Sequence, residues 1–214
     1  MMMATAFKPP MPRVKMRRAD TAARLLEAAC DVFAERGFEA ASLDAICQRI
    51  NMTRGAFYSS YASKEDLFIA VFDEEARRLA GRLARLWIGV ADHPDPLGAA
   101  AHRYALTEAS DAKWRLLHAE FRLLAARNAN VAERYEAIAD QLSANLGQQI
   151  ADLVDAVGLQ LVMPPAEAAD LWSAVVEGSS WRHPRVPDQA AETLRKNLFA
   201  LLGVLTTRKR GALA

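Results

Sequence analysis

At 214 residues the chain is long enough to bury roughly 70 per cent of its unfolded surface, so neither a disulfide nor a metal is needed to hold it. A net charge of +1 excludes an indiscriminately basic nucleic-acid binder, but the charge is uneven: residues 1–64 carry ten Lys/Arg against six Asp/Glu, +4, and residues 65–214 seventeen against twenty, −3. No apolar run reaches about 18 residues and the opening MMMATAFKPPMPRVKMRR has no signal-peptide core, so a soluble, cytoplasmic protein with no membrane partner is expected. Cys30 and Cys47 lack a CxxC spacing. They read as small core residues or, alternatively, as thiols that sense oxidation.

Residues 1–18 hold three prolines and five basic side chains with no acid, the composition of a flexible arm. Its last members, Arg17 and Arg18, abut the first helix, where they can reach phosphate or the minor groove. That helix is expected from Asp20 or Thr21 to Gly37, with Leu25, Leu26, Ala29, Val32 and Phe33 as its buried stripe and glycine as its left-handed end. Ser42 then caps a short helix with Leu43, Ile46 and Ile50 on one face. Asn51 stands at a sharp turn that needs positive φ, and Thr53 caps a second short helix from Arg54. Phe57 and Tyr61 share its inner face, while Arg54, Gly55, Tyr58 and Ser59 stay outside. Gly55 costs a helix about 1 kcal/mol relative to alanine, which makes sense if the backbone must approach another surface closely. DNA is the natural candidate.

Ser63 caps a long helix with Glu65 and Asp66 in its first turn. The breaker HPDP at His93–Pro96 ends that segment, and Asp95 with Pro96 opens a fifth helix to about Ala109. Asp111 caps a sixth to about Arg127, and a seventh runs from Val131 to Val157 after NAN. Pro165 opens an eighth to about Trp181; a ninth begins at Asp188 and carries Ala191, Leu194, Leu198, Leu201 and Leu205 at helical spacing. Arg208, Lys209 and Arg210 read as a solvated end. No alternating β-branched run interrupts this pattern, so the class is all-α.

The helix with Leu25, Ala28, Ala29 and Phe33, ERGF at Glu35–Phe38, SLDAI at Ser42–Ile46, MTRGAFY at Met52–Tyr58 and SKEDLF at Ser63–Phe68 together resemble the TetR/AcrR-type transcriptional regulators over roughly the first 70 residues. The resemblance implies a nine-helix TetR-like fold. A basic arm (1–18) would lead into a three-helix helix-turn-helix domain (19–66), then a helical ligand-binding and dimerisation domain (67–207) and a tail (208–214). It implies double-stranded operator DNA as partner, with Thr53 and Lys64 on phosphate, Ser42 and Tyr58 also on the backbone, Arg54 and Ser59 reading bases, and Gly55 and Tyr61 completing the face. Asn51 and Ser60 depart from the family's frequent Gly and His; the first is structurally neutral, the second removes a phosphate donor.

The same resemblance implies a homodimer, with Trp172, Val176, Leu194, Leu198, Leu201 and Leu205 as interface residues; the alternative is that the leucine seam is the chain's own core. It also implies a small apolar or aromatic ligand behind the DNA-binding part. Trp87, His102, Tyr104, Trp114, His118, Phe121, Trp172 and Trp181 are the residues placed to hold it, the alternative again being ordinary core. Glu120 and Arg122 are expected to pair on a surface. The expected activity is that of a repressor released by ligand, with a ligand-independent DNA-binding protein or an activator as alternatives. His93, His102, His118 and His183 show no HExxH spacing, and no GxSxG or phosphate-binding loop accompanies them, so no enzyme, metal or cofactor is expected.

Overall fold

The computed structural model describes residues 18–183 and 185–209, with side chains from residue 21 onward. Arg17, the side chain of Arg18 and residues 210–214 lie outside the described residues. Within them the all-α expectation holds: nine helices follow one another, with one short two-stranded ribbon added.

Helix α1 (Arg18–Ala40) is interrupted at Gly37, where φ is 74° and ψ 167°. Only glycine takes that conformation without strain, so it ends the regular helix and turns Phe38 inward. Helices α2 (Leu43–Arg49) and α3 (Arg54–Tyr58) are each started by a hydroxyl. Ser42 Oγ accepts from the Ala45 amide and Thr53 Oγ1 from the Ala56 amide, both at 3.2 Å. Between them Asn51 has φ 54°, a left-handed value that its short polar side chain tolerates.

Ser63 repeats the device for α4 (Lys64–Leu86), accepting from the Asp66 amide at 3.0 Å. Asp95 and Asp111 cap α5 (Pro96–Ser110) and α6 (Ala112–Ala125), and Asn128 caps α7 (Ala129–Ala156). Helices α8 (Pro165–Ser180) and α9 (Pro187–Leu205) open on proline, whose missing amide hydrogen is not needed in a first turn.

Helices α1 to α3 do not close a core alone. Leu25, Phe33, Phe38, Ile46 and Phe57 share one buried cluster with Leu67, Phe68 and Phe72 of α4, Trp114 and Phe121 of α6, and Val131 of α7. Apolar packing thus runs through residue 66, where the sequence suggests a boundary. A second cluster joins the far half of α4 to α5, α7, α8 and α9 around Trp172.

Two expectations are corrected. Arg208 and Lys209 do not simply trail into solvent: β2 (Thr206–Arg208) pairs antiparallel with β1 (Leu159–Leu161), and Lys209 forms an ion pair with Asp155. The leucine seam of α9 faces its own chain. Trp172, Leu194, Leu198 and Leu205 are at most 1% exposed, so they cannot be contact residues of a dimer interface; Val176 and Leu201 are half-buried. Spacings of three and four specify a buried face without saying what buries it, and here α5 and α8 do. The large apolar side chains that α8 and α9 turn outward are Leu171, Phe199 and Val204.

Candidate functional site

On the outer face of the head, formed by α1 to α3, Arg54, Gly55, Tyr58 and Ser59 are exposed around a fully buried Phe57. Ser42 and Thr53 accept in their capping bonds, which leaves each hydroxyl proton available for an outside acceptor such as phosphate. Ser59 donates to the Ala56 carbonyl at 2.7 Å and so meets a partner as an acceptor. A Cβ added at Gly55 would meet nothing within 4 Å, so the fold itself does not demand glycine there. Tyr61 is half-buried, its ring 6.1 Å from that of Phe57, and burial raises the pKa of its phenol; packing is its first role. Ser60 is exposed beside it.

Arg54 is not idle in the free protein. Its Nε and Nη2 donate to the two carboxylate oxygens of Asp44 at 2.6 and 2.8 Å, a two-pronged pair between α3 and α2 in which both side chains are more than half exposed (61% and 55%). Arg49 is likewise paired with Glu35 at 2.7 Å.

Lys64 differs from expectation. Its Nζ donates to the carbonyls of Phe38, Glu39 and Ala41 at 2.8, 3.3 and 3.2 Å and lies 4.3 Å from the centre of the Phe38 ring. Its three N–H bonds close the carbonyl end of α1, leaving none for a phosphate. We expect Lys64→Met to lower stability by about 1 to 2 kcal/mol through those orphaned carbonyls, read as a lower melting temperature. Unchanged melting together with a shallower salt dependence of DNA binding would restore the phosphate role.

Glu120 and Arg122 do not pair with each other. Arg122 bonds Glu177 of α8, whereas Glu120 Oε2 accepts from the Phe38 amide at 3.1 Å, beside Gly37. An acid of α6 therefore holds the elbow at the end of α1. Rings continue the link: Phe68 lies 5.0 Å from Phe38 and 5.3 Å from Phe121, and Phe121 stacks on Phe72 at 4.1 Å. Phe72 in turn stacks on Trp114 and His118.

Those last two rings border a cavity of about 360 Å³ walled by α4 to α8. Among the side chains expected around a ligand, Tyr104, Trp114, His118 and Trp181 line it. The others do not. Trp87 follows α4 and donates its indole N–H to Gln149 at 2.7 Å; His102 faces solvent; Phe121 and Trp172 are 0% exposed within the two apolar clusters. Lining residues that periodicity did not reveal are Glu108, Arg115 and Tyr135. Glutamate and arginine on an amphipathic helix look like a solvated face until the opposing helix is in place. Tyr135 OH sits 3.2 Å from His118 Nε2, and burial lowers the His118 pKa to about 4, so its imidazole is neutral at pH 7. Burial pushes the Cys30 thiol up to about 12 and raises that of Cys47, which suits core residues and not redox sensors.

Among the described residues no helix is long and apolar enough to cross a membrane. Residues 25–71 match the family model described as bacterial regulatory proteins, tetR family. Over 72 residues the chain is 33% identical to the HTH-type transcriptional regulator UidR of Escherichia coli K12, an alignment covering 34% of this chain and 37% of UidR. Over 67 residues it is 36% identical to the HTH-type transcriptional repressor AcnR of Corynebacterium diphtheriae, covering 31% and 33% of the two chains. These alignments thus span only about a third of the curated relatives, which are transcriptional regulators. The fold match is far longer: a TetR-family transcriptional regulator from Mesorhizobium loti superposes with a TM-score of 0.74 at 16% identity, over 90% of this chain and all of that one. Residues 25–71 thus carry the tetR-family pattern, and the architecture along the rest of the chain is that of solved TetR-family regulators.

Proposed function

We infer that the chain is a dimeric, sequence-specific DNA-binding transcriptional regulator, a repressor that leaves its operator when a small, largely apolar molecule fills the cavity. The observation that carries this reading is that α6 serves both ends. One face of α6 supplies Trp114 and His118 to the cavity, and its Glu120 holds the α1 elbow on which the helix-turn-helix sits. A ligand that prefers a shifted α6 therefore biases the head, by no more than its difference in affinity for the two arrangements. An open cavity favours this reading over one without a ligand.

A recognition helix running only from Arg54 to Tyr58 reads few base pairs, so two copies are needed, with half-sites about 34 Å or a multiple apart. The outward Leu171, Phe199 and Val204 of α8 and α9 are the surface proposed to join them. The test is selection of genomic fragments by the purified chain, with Gly55→Ala alongside. Wild type should enrich fragments sharing an inverted repeat. Gly55→Ala should fold at least as stably, because its methyl enters open space, yet lose enrichment because the methyl stands where DNA must come close. Fragments without a common motif would sink the reading.

A further inference from the structure

The cavity holds a feature that neither the apolar lining nor the link to the head uses. Glu108, on the last turns of α5, lines it while being only 8% exposed. Among the described residues no ion pair reaches its carboxylate. The nearby arginines are otherwise engaged: Arg82 of α4 pairs with Asp111, and Arg115 of α6 donates to the main-chain carbonyls of Glu108 and Ala109. The remaining charges do not compensate. Glu108, Asp170 and Glu177 face Arg115 and Arg122 across the lining, Arg122 is bound to Glu177, and Asp170 accepts from the Ser143 hydroxyl at 2.7 Å. With His118 neutral, the lining carries one net negative charge at pH 7 when Glu108 is ionised.

We propose that the cavity selects a monocation, an amine with a flat apolar body, whose ammonium donates to the Glu108 carboxylate while the body lies against Tyr104, Trp114 and Trp181. This rests on the cavity being the ligand site of the regulator described above. A buried carboxylate with no ion-pair contact among the described residues is costly to keep, and a ligand cation supplies that contact. The aromatic walls favour the same charge, since a ring face attracts a cation. An anionic ligand would meet Glu108 as a like charge, and a neutral one would leave it uncompensated.

Such a pairing carries a pH signature. Burial pushes the Glu108 carboxyl up to about 7, with Arg115 and Arg82 drawing it back, Asp111 pushing it further and the Ser180 hydroxyl of α8 favouring the ionised form; α9, packed on α5, shares its buried cluster through the apolar Leu194 and Leu198. A cation prefers the ionised acid, so its affinity rises with pH through 7, while the ammonium itself stays protonated.

Three matched probes test this by isothermal titration of the full chain: 2-naphthylmethylammonium, 2-naphthylmethanol and 2-naphthoate. The amine should bind at least tenfold tighter than the other two at pH 7.5 and gain about fivefold or more between pH 6 and pH 8. Glu108→Gln should abolish both the preference and the pH dependence. Equal or tighter binding of the alcohol or the carboxylate overturns charge selection and leaves the cavity reading intact. Charge selection is overturned in the same way if Glu108→Gln keeps the preference, or, should that variant not fold, if the wild-type amine affinity is flat with pH. Binding of none of the three at millimolar concentration overturns the cavity reading as well.

Discussion

Gly147→Ala is expected to cost about 3 kcal/mol or more and to lower the melting temperature by roughly 6 to 12 °C. Gly147 is buried near the middle of α7, where alanine would by propensity be favoured by about 1 kcal/mol. A Cβ there would lie 2.4 Å from the Pro165 carbonyl oxygen and 2.7 Å from its carbon, in the first turn of α8. Neither is the end of a flexible side chain. Relief requires α8 as a whole to back away from α7, opening the packing around Ala168, Ala169 and Trp172, all 0% exposed. Because Asp170, Glu177 and Trp181 reach the cavity from α8 and its end, ligand binding should weaken with stability. Gly81→Ala is the control: its added Cβ would have Arg85 Nη1 at 3.9 Å, ordinary contact, so that variant should melt no lower than wild type. Equal melting of Gly147→Ala and wild type would show that the helices are not so closely apposed.

The elements most legible in the sequence are those whose ends are set by local chemistry. Ser42, Thr53, Ser63, Asp95 and Asp111 each cap a helix through a bond to an amide three residues on, so a window of a few residues carries the whole signal. The positive φ of Gly37 and Asn51 is legible for the same reason. What is not legible depends on which distant surface arrives. The strands Leu159–Leu161 and Thr206–Arg208 are three residues each and acquire a pattern only by pairing with each other. Leu194 and Leu198 announce a buried face but not its owner. Lys64 and Glu120 look like solvent-facing charges on their own helices, and their roles at the α1 elbow follow from main-chain groups that are 26 and 82 residues away. In the cavity the aromatic residues are partly legible and the acid is not, since burial of Glu108 is a product of several helices meeting.

Arg54→Ala is expected to weaken operator binding by roughly ten- to a hundredfold per half-site while changing affinity for random DNA little. Asp44 is the reason. In the free protein its carboxylate occupies both prongs of the guanidinium, and guanine O6 and N7 present two acceptors in a comparable fork. Exchange of one fork for the other is close to balanced, because the exposed pair with Asp44 is weak in water and screened by salt. A base that offers only one acceptor leaves half of the fork unpaired and does not displace Asp44. Specificity at this position then arises as a difference between two partners for one arginine. Asp44→Ala makes the complementary test: it releases Arg54 to any phosphate and removes a negative charge from beside it. Random DNA should bind several-fold tighter and the ratio of operator to random affinity should fall. Combining the two substitutions should erase the Asp44→Ala loss of discrimination, since no arginine remains to be released. Equal losses of Arg54→Ala on operator and random DNA would place Arg54 on the backbone instead, and additive effects in the double variant would separate Asp44 from it.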